Sequence, residues 1–228
     1  MPFLALACDY DGTLACDGVV EAKTLDALRR LRATGRKLIL VTGRELSDLQ
    51  TVFSDVQLFD RVVVENGALL YRPASGEMRV LGNAPPAAFV EALRRHGVEH
   101  VSVGHVIVAT GRPHETVVLK TIRDMGLELQ VIFNKDAVMV LPSGVNKATG
   151  LSVALDEMGL SPEKIVGIGD AENDHAFLHL CGCAVAVANA LPALKEAADM
   201  VTRGDHGAGV REVIEGLVED DLAGVWRR

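Results

Sequence analysis

The chain has 228 residues, enough for one large α/β domain or for a core with a small second domain. Hydrophobic residues make up 49% of it, so a sizeable core is available and disorder is disfavoured. The formal charge is -8, from 23 basic and 31 acidic residues without a basic block, which disfavours a nucleic-acid partner.

The first part of the chain alternates short apolar runs with helical patterns. Leu4–Cys8 and Lys37–Val41 lack polar alternation, as strands buried on both faces of a parallel sheet do. Between them, Glu21–Thr34 has leucines at helical spacing and is followed by Gly35, a typical helix end. This βαβ pattern repeats and predicts an α/β fold with a doubly wound, Rossmann-like parallel sheet. Further strands are predicted at Arg61–Val64, Ile165–Ile168 and Ala184–Val187, and further helices at Asn146–Met158 and Leu191–Ala198.

The middle of the chain breaks this alternation. A hairpin is predicted at Leu69–Arg72 and Met78–Leu81, and a new αββαββ pattern begins after Pro85 and Pro86. This order is that of a small open-faced sandwich, with one sheet and two helices on one side. We predict a core domain of residues 1–83 and 144–228, and an inserted domain of residues 84–143. The predicted elements of the insertion are Ala87–His96, Val101–Val103, Val106–Ala109, Pro113–Met125, Leu129–Phe133 and Val138–Leu141.

Two aspartates follow the first predicted strand. Asp9 and Asp11 are separated by one residue, and Gly12 lets the chain bend sharply, so both carboxylates can face one cavity. Ligands of a doubly wound sheet bind beyond the carboxyl ends of its strands, which makes this a candidate site. A polar turn after a strand would explain the same residues, because Asp and Gly are common in turns.

The second strand and the helix after the insertion add candidates for anion binding. Thr42, Gly43 and Arg44 follow the second strand, where a hydroxyl and a glycine amide before a helix can hold an anion. Lys147 lies in the first turn of a predicted helix, where a lysine opposes the helix dipole. The competing interpretations are an ordinary turn and an exposed lysine, whereas the functional one is a clamp on a phosphoryl group.

Acidic residues follow the strand Ile165–Ile168. Asp170, Asn173 and Asp174 lie in a loop that has no basic residue close by in the sequence. Clustered carboxylates repel one another unless a cation is bound, and oxygen ligands of this kind favour magnesium over zinc. A solvated acidic loop is the alternative. Together, these segments would supply the nucleophile, metal, positive clamps and proton donor that phosphoryl transfer requires.

These residues, in this order, resemble the motifs of the haloacid dehalogenase-like hydrolases, and the resemblance covers essentially the whole chain. The sequence DYDGT at 9–13 looks like the first motif, residues 41–44 like the second, Lys147 like the third, and residues 169–174 like the fourth. The insertion lies between the second and third motifs, as in the Cof-type branch with its α/β cap. Glu65-Asn66-Gly67 fits the same branch. The resemblance implies a phosphatase that hydrolyses a small phosphorylated metabolite, such as a sugar phosphate or a phosphoglycolate-like compound.

The resemblance also implies a role for each residue. Asp9 would attack phosphorus and form an aspartyl-phosphate, and Asp11 would protonate the leaving oxygen and then activate water. Mg²⁺ would be bound by Asp9, the backbone carbonyl of Asp11 and Asp170, with Asp174 as a further ligand or a partner of the ligands. The phosphoryl oxygens would be held by Thr42, Gly43, Arg44, Lys147 and Asn173.

Three other functions compete with this one. A phosphotransferase or phosphomutase on the same fold would replace water by a second alcohol. A non-catalytic phosphometabolite-binding regulator is disfavoured, because a binding module has no need for the proton donor Asp11. A two-component receiver, which also phosphorylates an aspartate, is disfavoured by DYDGT and by the insertion at 84–143.

The sequence also carries expectations about location and partners. The apolar N-terminus lacks the basic start of a signal peptide, and no apolar run approaches the ~18 residues that span a membrane. We therefore expect a cytoplasmic protein that binds neither nucleic acid nor membrane. Its partner would be a small phosphorylated substrate, and the chain would be a monomer or a homodimer.

Overall fold

The computed structural model of the protein describes residues 3–223. The strands in this range are β1 (Ala5–Cys8), β2 (Lys37–Val41), β3 (Arg61–Val64), β4 (Leu69–Arg72), β5 (Glu77–Val80), β6 (Ser102–Val103), β7 (Val108–Gly111), β8 (Leu129–Asn134), β9 (Ala137–Pro142), β10 (Ile165–Gly169), β11 (Cys183–Ala186) and β12 (Met200–Val201). The α-helices are α1 (Ala22–Ala33), α2 (Leu46–Val52), α3 (Ala87–Arg95), α4 (Glu115–Asp124), α5 (Lys147–Met158), α6 (His175–Leu180), α7 (Pro192–Ala197) and α8 (His206–Glu219).

The larger of two sheets has eight strands in the order β12-β11-β10-β1-β2-β3-β4-β5. β1 lies in the middle and pairs in parallel with both β2 and β10. The parallel pairing continues outward to β3 and β12, and the antiparallel strands β4 and β5 complete one edge. The chain therefore moves away from β1 in both directions, which opens a crevice at the carboxyl ends of β1, β2 and β10. The predicted doubly wound α/β core is confirmed.

Apolar burial explains why the central strands form. All residues of β1 and β10 are buried, and so are those of β2 after Lys37. Helix α1 buries Ala27, Leu28 and Leu31 and packs beside α8. The sequence analysis did not identify α8, although Val210, Val213, Ile214 and Leu217 recur on its buried face. Its glycines obscured the helical pattern, because glycine disfavours helices in general.

The smaller sheet has four antiparallel strands in the order β6-β7-β9-β8. We call β6–β9 with α3 and α4 the small α/β unit; its αββαββ order is the predicted one. The alternate residues Met139 and Leu141 of β9 face the core, where they pack with Ala68 and Val145. The opposite face of the sheet is covered by α3 and α4 through an apolar cluster that includes Phe89, Leu93, Val118, Val138 and Val140.

One predicted strand of the small α/β unit begins later than expected. The sequence predicted a strand at Val106–Ala109, but β7 begins at Val108. The backbone amides of Val106 and Ile107 donate to the side chain of Glu65 instead of to a neighbouring strand. Residues 3–223 contain no helix with both the length and the apolar character needed to cross a bilayer.

Candidate active site

Four polar side chains meet where the central strands end. Asp9 follows β1, Thr42 follows β2, Asp170 follows β10, and Lys147 begins α5. All four are buried. Because parallel strands bring their carboxyl ends to one edge, residues that are far apart in the sequence share one crevice.

Lys147 lies at the centre of this cluster. Its Nζ is 2.6 Å from Asp9 Oδ1 and 2.6 Å from Asp174 Oδ1, and the side chain is 1% exposed. Asn146 caps α5 by accepting hydrogen bonds from two backbone amides, which holds the start of the helix in place. Burial acts to lower the pKa of Lys147, but the charges of Asp174 and Asp9 outweigh it and raise the pKa above its ordinary value. Lys147 is therefore a fixed positive charge beside Asp9.

Asp9 is a buried carboxylate in an acidic environment. Burial raises its pKa well above the ordinary value, the charge of Asp174 adds to the rise, and Lys147 opposes it. The three carboxylates of Asp9, Asp170 and Asp174 are paired with two lysines, Lys147 and Lys135, so a net negative charge remains. The ionised form of Asp9, which a nucleophile requires, is therefore costly until another cation is bound.

The loop after β10 is held by Asp174. Its Oδ2 accepts hydrogen bonds from the amides of Asp170 (2.8 Å) and Ala171 (3.0 Å), while its Oδ1 faces Lys147. Thr13 donates its hydroxyl to Asp170 Oδ1 at 3.0 Å, which ties this loop to the first motif. Both oxygens of Asp174 are thus engaged by protein donors, so Asp174 orients the loop and Lys147.

Three carboxylates form a candidate metal centre. Oxygen atoms of Asp9, Asp170 and Asp174 all lie within 4.8 Å of one another. Oxygen-only donors of this kind fit a hard cation such as Mg²⁺. Among residues 3–223, this group does not include the carboxylate of Asp11, whose two oxygens accept hydrogen bonds from Arg44.

Asp11 is bound by Arg44 at the mouth of the crevice. Arg44 Nε lies 2.7 Å from one Asp11 oxygen and Nη2 lies 2.8 Å from the other, a bidentate pair. Its Nη1 binds Asp48 at 2.7 Å, and the guanidinium lies over the ring of Tyr10. The hydrogen bond to Asp11 raises the pKa of Arg44 above its ordinary value. Arg44 was predicted to bind phosphate. In the structure its guanidinium forms ion pairs with the carboxylates of Asp11 and Asp48.

Two asparagines lie behind the second motif. Asn173 donates its amide to Asn66 Oδ1 at 2.9 Å, and a Cβ added to Gly43 would lie 3.8 Å from Asn173 Nδ2. Asn173 Oδ1 and Asn66 Nδ2 are buried and have no hydrogen-bond partner within residues 3–223. Asn173 therefore lies next to the Thr42–Gly43 turn, and its hydrogen bond to Asn66 fixes the orientation of its side chain.

A cavity of about 460 Å³ opens between these residues and the small α/β unit. On the core side, Asp9, Asp11 and Thr42 line it. The wall contributed by the small α/β unit has three apolar residues and two polar ones. They are Ile107, Ala109, Met139, Ser102 and Asn134.

Most of the sequence matches the model of one protein family. That family is described as haloacid dehalogenase-like hydrolase, and the match covers residues 6–99 and 130–214. The chain belongs to the haloacid dehalogenase-like hydrolase family. The matched ranges include the aspartates, the lysine and the acidic loop that the structure brings together, and they leave out part of the small α/β unit.

Similar proteins extend over nearly the whole chain. A phosphoglycolate phosphatase from Methanothermobacter thermautotrophicus is 33% identical over 218 residues, which cover 92% of this chain and 96% of that protein. A phosphoglycolate phosphatase from Natronomonas pharaonis is 31% identical over 226 residues, with coverage of 92% and 96%. Together with the family match, these relatives show that the chain is a phosphatase.

Solved structures with the same fold come from both archaea and bacteria. A Thermoplasma acidophilum protein superimposes with a TM-score of 0.83 at 17% identity, over 96% of this chain and 99% of that one. A haloacid dehalogenase-like hydrolase from Bacteroides thetaiotaomicron gives a TM-score of 0.80 at 21% identity, over 93% and 98%. These superpositions show that the fold is shared over nearly the whole chain.

In this phosphatase, Glu65 joins the core to the small α/β unit. It is fully buried, and its carboxylate accepts hydrogen bonds from the backbone amides of His105 (2.8 Å), Val106 (2.7 Å) and Ile107 (2.9 Å). A Cβ added to Gly104 would lie 2.7 Å from Glu65 Cδ, so this turn approaches as closely as only glycine permits. From the sequence, Glu65 was identified only as part of the Glu65-Asn66-Gly67 motif, and no role was predicted for it.

Lys135 joins the same two parts at the other side of the crevice. It lies in the turn between β8 and β9, and its Nζ is 3.0 Å from Asp170 Oδ2. Its side chain is 53% exposed, whereas that of Asp170 is 2% exposed. Lys135 was not predicted as a site residue, because a lysine in a polar turn between two strands looks like any solvent-exposed lysine.

Proposed function

We propose that the chain is a Mg²⁺-dependent phosphatase that hydrolyses a small phosphorylated metabolite through an aspartyl-phosphate on Asp9. The observation that carries this proposal is the buried Asp9, which lines the cavity and is bound by Lys147 within a group of three carboxylates. The curated relatives named phosphoglycolate phosphatase make a phosphoglycolate-like ester the first candidate substrate. A sugar phosphate is the second.

Asp9 and Asp11 divide the chemistry in this proposal. A carboxylate oxygen of Asp9 forms a bond to phosphorus while the bond from phosphorus to the leaving oxygen breaks. Asp11 gives a proton to that oxygen and later removes one from the water that hydrolyses the aspartyl-phosphate. Arg44 orients Asp11 through its two parallel hydrogen bonds. Lys147 offsets the repulsion between the Asp9 carboxylate and the incoming phosphate.

The phosphoryl oxygens need donors on the core side of the cavity. We assign this role to the Thr42 hydroxyl, the Gly43 amide and Lys147, with Asn173 as a further donor. Thr42 and Gly43 line the cavity, and Asn173 lies next to them. Charge-assisted hydrogen bonds of this kind are stronger than neutral ones.

We assign the metal site to Asp9, Asp170 and the backbone carbonyl of Asp11, with Asp174 holding Asp170 and Lys147. A bound Mg²⁺ would neutralise phosphoryl charge as a Lewis acid. The raised pKa of Asp9 supports this assignment, because a cation at this place would favour its ionised form.

We further propose that residues 84–143 form a cap domain over a core of residues 1–83 and 144–228. The small α/β unit lies within this range and supplies the apolar wall of the cavity. A cavity of about 460 Å³ fits a small ester better than a large one. The wall excludes water from the reacting centre and sets which leaving group fits.

Phosphate release from a panel of phosphorylated metabolites tests this proposal. We expect release by the wild type that stops when a chelator is added and returns with Mg²⁺. Asp9→Asn should lower kcat at least 1,000-fold, because it removes the nucleophile. Asp26→Asn, a change at an exposed ion pair far from the crevice, is the matched control and should leave kcat unchanged.

Other outcomes would contradict particular parts of the proposal. Full activity of Asp9→Asn would exclude the aspartyl-phosphate, and full activity in chelator would exclude the metal. Phosphate that appears on an added alcohol instead of in solution would favour the phosphotransferase.

A further inference from the structure

We propose that Lys135 selects substrates that carry a carboxylate next to the phosphate ester, by binding that carboxylate from the small α/β unit. This inference rests on the proposed function, since it concerns the substrate of the same site. It makes Lys135 a specificity-determining residue of the cavity.

The position of Lys135 brings its ammonium group next to Asp170 and to the backbone at Gly12. The turn that carries it has a left-handed backbone at Lys135 (φ 53), and the backbone amide lies 3.4 Å from Glu172 of the acidic loop. The Nζ reaches Asp170, and a Cβ added to Gly12 would lie only 2.8 Å from it. Gly12 belongs to the loop that carries Asp9. The preceding residue, Asn134, lines the cavity.

The other cations of the crevice are already committed to carboxylates. Lys147 is buried between Asp9 and Asp174, and Arg44 uses three of its nitrogens on Asp11 and Asp48. Lys135 forms one ion pair and is half exposed, so two of its three ammonium protons can serve a ligand.

The ion pair with Asp170 does not prevent this role. Lysine has four flexible methylenes, so Lys135 can turn from Asp170 to a ligand. Asp170 is 2% exposed, and the metal ion assigned to it would then balance its charge. A lysine is positively charged near neutral pH, so Lys135 approaches any substrate as a cation.

The charges and the wall of the cavity both favour a carboxylate. A phosphate ester with a carboxylate brings about three negative charges to a crevice that already holds Asp9, Asp11 and Asp170, so an additional cation is needed. The wall opposite the core has three apolar residues, Ile107, Ala109 and Met139, and two polar ones, Ser102 and Asn134. Such a wall offers few hydrogen-bond partners to the several hydroxyls of a sugar, which disfavours sugar phosphates.

The test compares phosphoglycolate with ethyl phosphate, which also has two carbon atoms but no carboxylate. We expect Lys135→Ala to lower kcat/KM for phosphoglycolate about 10- to 100-fold, the loss typical of one charge-assisted hydrogen bond. Most of the loss should lie in KM. The value for ethyl phosphate should change less than about threefold, and Lys135→Arg should recover part of the loss.

Lys120→Ala is the matched control, because Lys120 is an exposed lysine of the same small α/β unit that pairs with Asp124 on its own helix. Lys120→Ala should leave kcat/KM unchanged for both substrates. Equal losses on both substrates with Lys135→Ala would overturn the inference, since they would indicate a contact with the phosphoryl group or a structural defect. Unchanged values for both would overturn it as well.

A binding measurement separates this inference from the proposed function. Calorimetry can measure the Kd of phosphoglycolate and of ethyl phosphate for two proteins, the Asp9→Asn variant and the double variant that also carries Lys135→Ala. Because Asp9→Asn removes the nucleophile, binding is measured without turnover. A wild type that releases phosphate from no compound of the panel would contradict the proposed function alone. A Kd for phosphoglycolate that Lys135→Ala leaves unchanged would overturn the role of Lys135.

Discussion

Glu65 and Lys135 both join the core to the small α/β unit, but their surroundings are opposite. Glu65 is fully buried and its carboxylate meets three fixed backbone amides, whereas Lys135 is half exposed and forms one ion pair with a side chain. A buried charge with all its partners fixed cannot leave them without a large cost. A half-exposed charge can exchange one partner for another. The first contact therefore holds the unit in place, and the second is available to a ligand.

Replacing Glu65 should have the largest effect on this comparison. Glu65→Ala leaves three amides of the turn at 105–107 without their acceptor, and we expect a loss of roughly 3 kcal/mol or more in the free energy of unfolding. Urea denaturation measures the loss, and hydrogen exchange should show faster exchange at Val106 and Ile107. Glu65→Gln keeps one acceptor oxygen and should be intermediate. A loss below about 1 kcal/mol would mean that the junction is not held by Glu65.

Gly104→Ala tests the same junction from its other side. The added methyl would lie 2.7 Å from Glu65 Cδ, and we expect a loss of about 1–3 kcal/mol from overpacking. Gly111→Ala, in strand β7 of the same sheet, is the matched control, since its Cβ would meet only Asp136 O at 3.8 Å. It should change stability by less than about 0.5 kcal/mol. Equal effects of the two changes would contradict the close approach at Glu65.

Glu157 provides a carboxylate that is held by side chains instead of backbone amides. A hydrogen bond from Arg72 lowers its pKa; burial opposes this, and Arg79 and Arg61 add to the lowering. A lowered pKa means that the carboxylate stabilises the fold above its unfolded-state pKa, and that this contribution is lost as pH falls through the folded-state pKa.

Glu157→Gln should therefore lower Tm at pH 7 by only about 1–3 °C, as expected of a partly exposed cluster. The difference from wild type should be constant from pH 6 to 8 and should shrink below about pH 4, where the carboxyl of the unfolded chain is protonated. Thermal unfolding at pH 7, 5 and 3 measures it. A difference that is as large at pH 3 as at pH 7 would show that the ionised form contributes nothing.

Lys135→Met should have the smallest effect on stability. It keeps most of the side-chain length and removes an ion pair between a half-exposed lysine and the buried Asp170, so the free energy of unfolding should fall by no more than about 1 kcal/mol. Urea denaturation of Lys135→Met, Glu65→Ala and the wild type under the same conditions compares their free energies of unfolding directly. A loss similar to that of Glu65→Ala would show that both contacts hold the small α/β unit in place.

Local patterns were sufficient to predict most of the core and the residues at its strand ends. The strands β1, β2 and β10 were recognisable because strands buried on both faces are continuously apolar. Asp9, Thr42 and Asp170 follow such strands, and the geometry of a parallel sheet brings strand ends together. The structure places these residues in one crevice with Lys147, whose burial between two aspartates no local pattern could predict.

The sequence by itself determined the alternation of strands and helices, the αββαββ order of the insertion and the set of polar residues at one edge of the sheet. Those features depend on side-chain periodicity and on residues close together in the chain. The tertiary structure alone decided the partners of Glu65, Arg44 and Lys135 and the late start of β7. Glu65 contacts residues about 40 positions away and Lys135 pairs with Asp170, so only packing of the small α/β unit on the core brings them together. Charge pairing across such distances leaves no periodic pattern in the sequence.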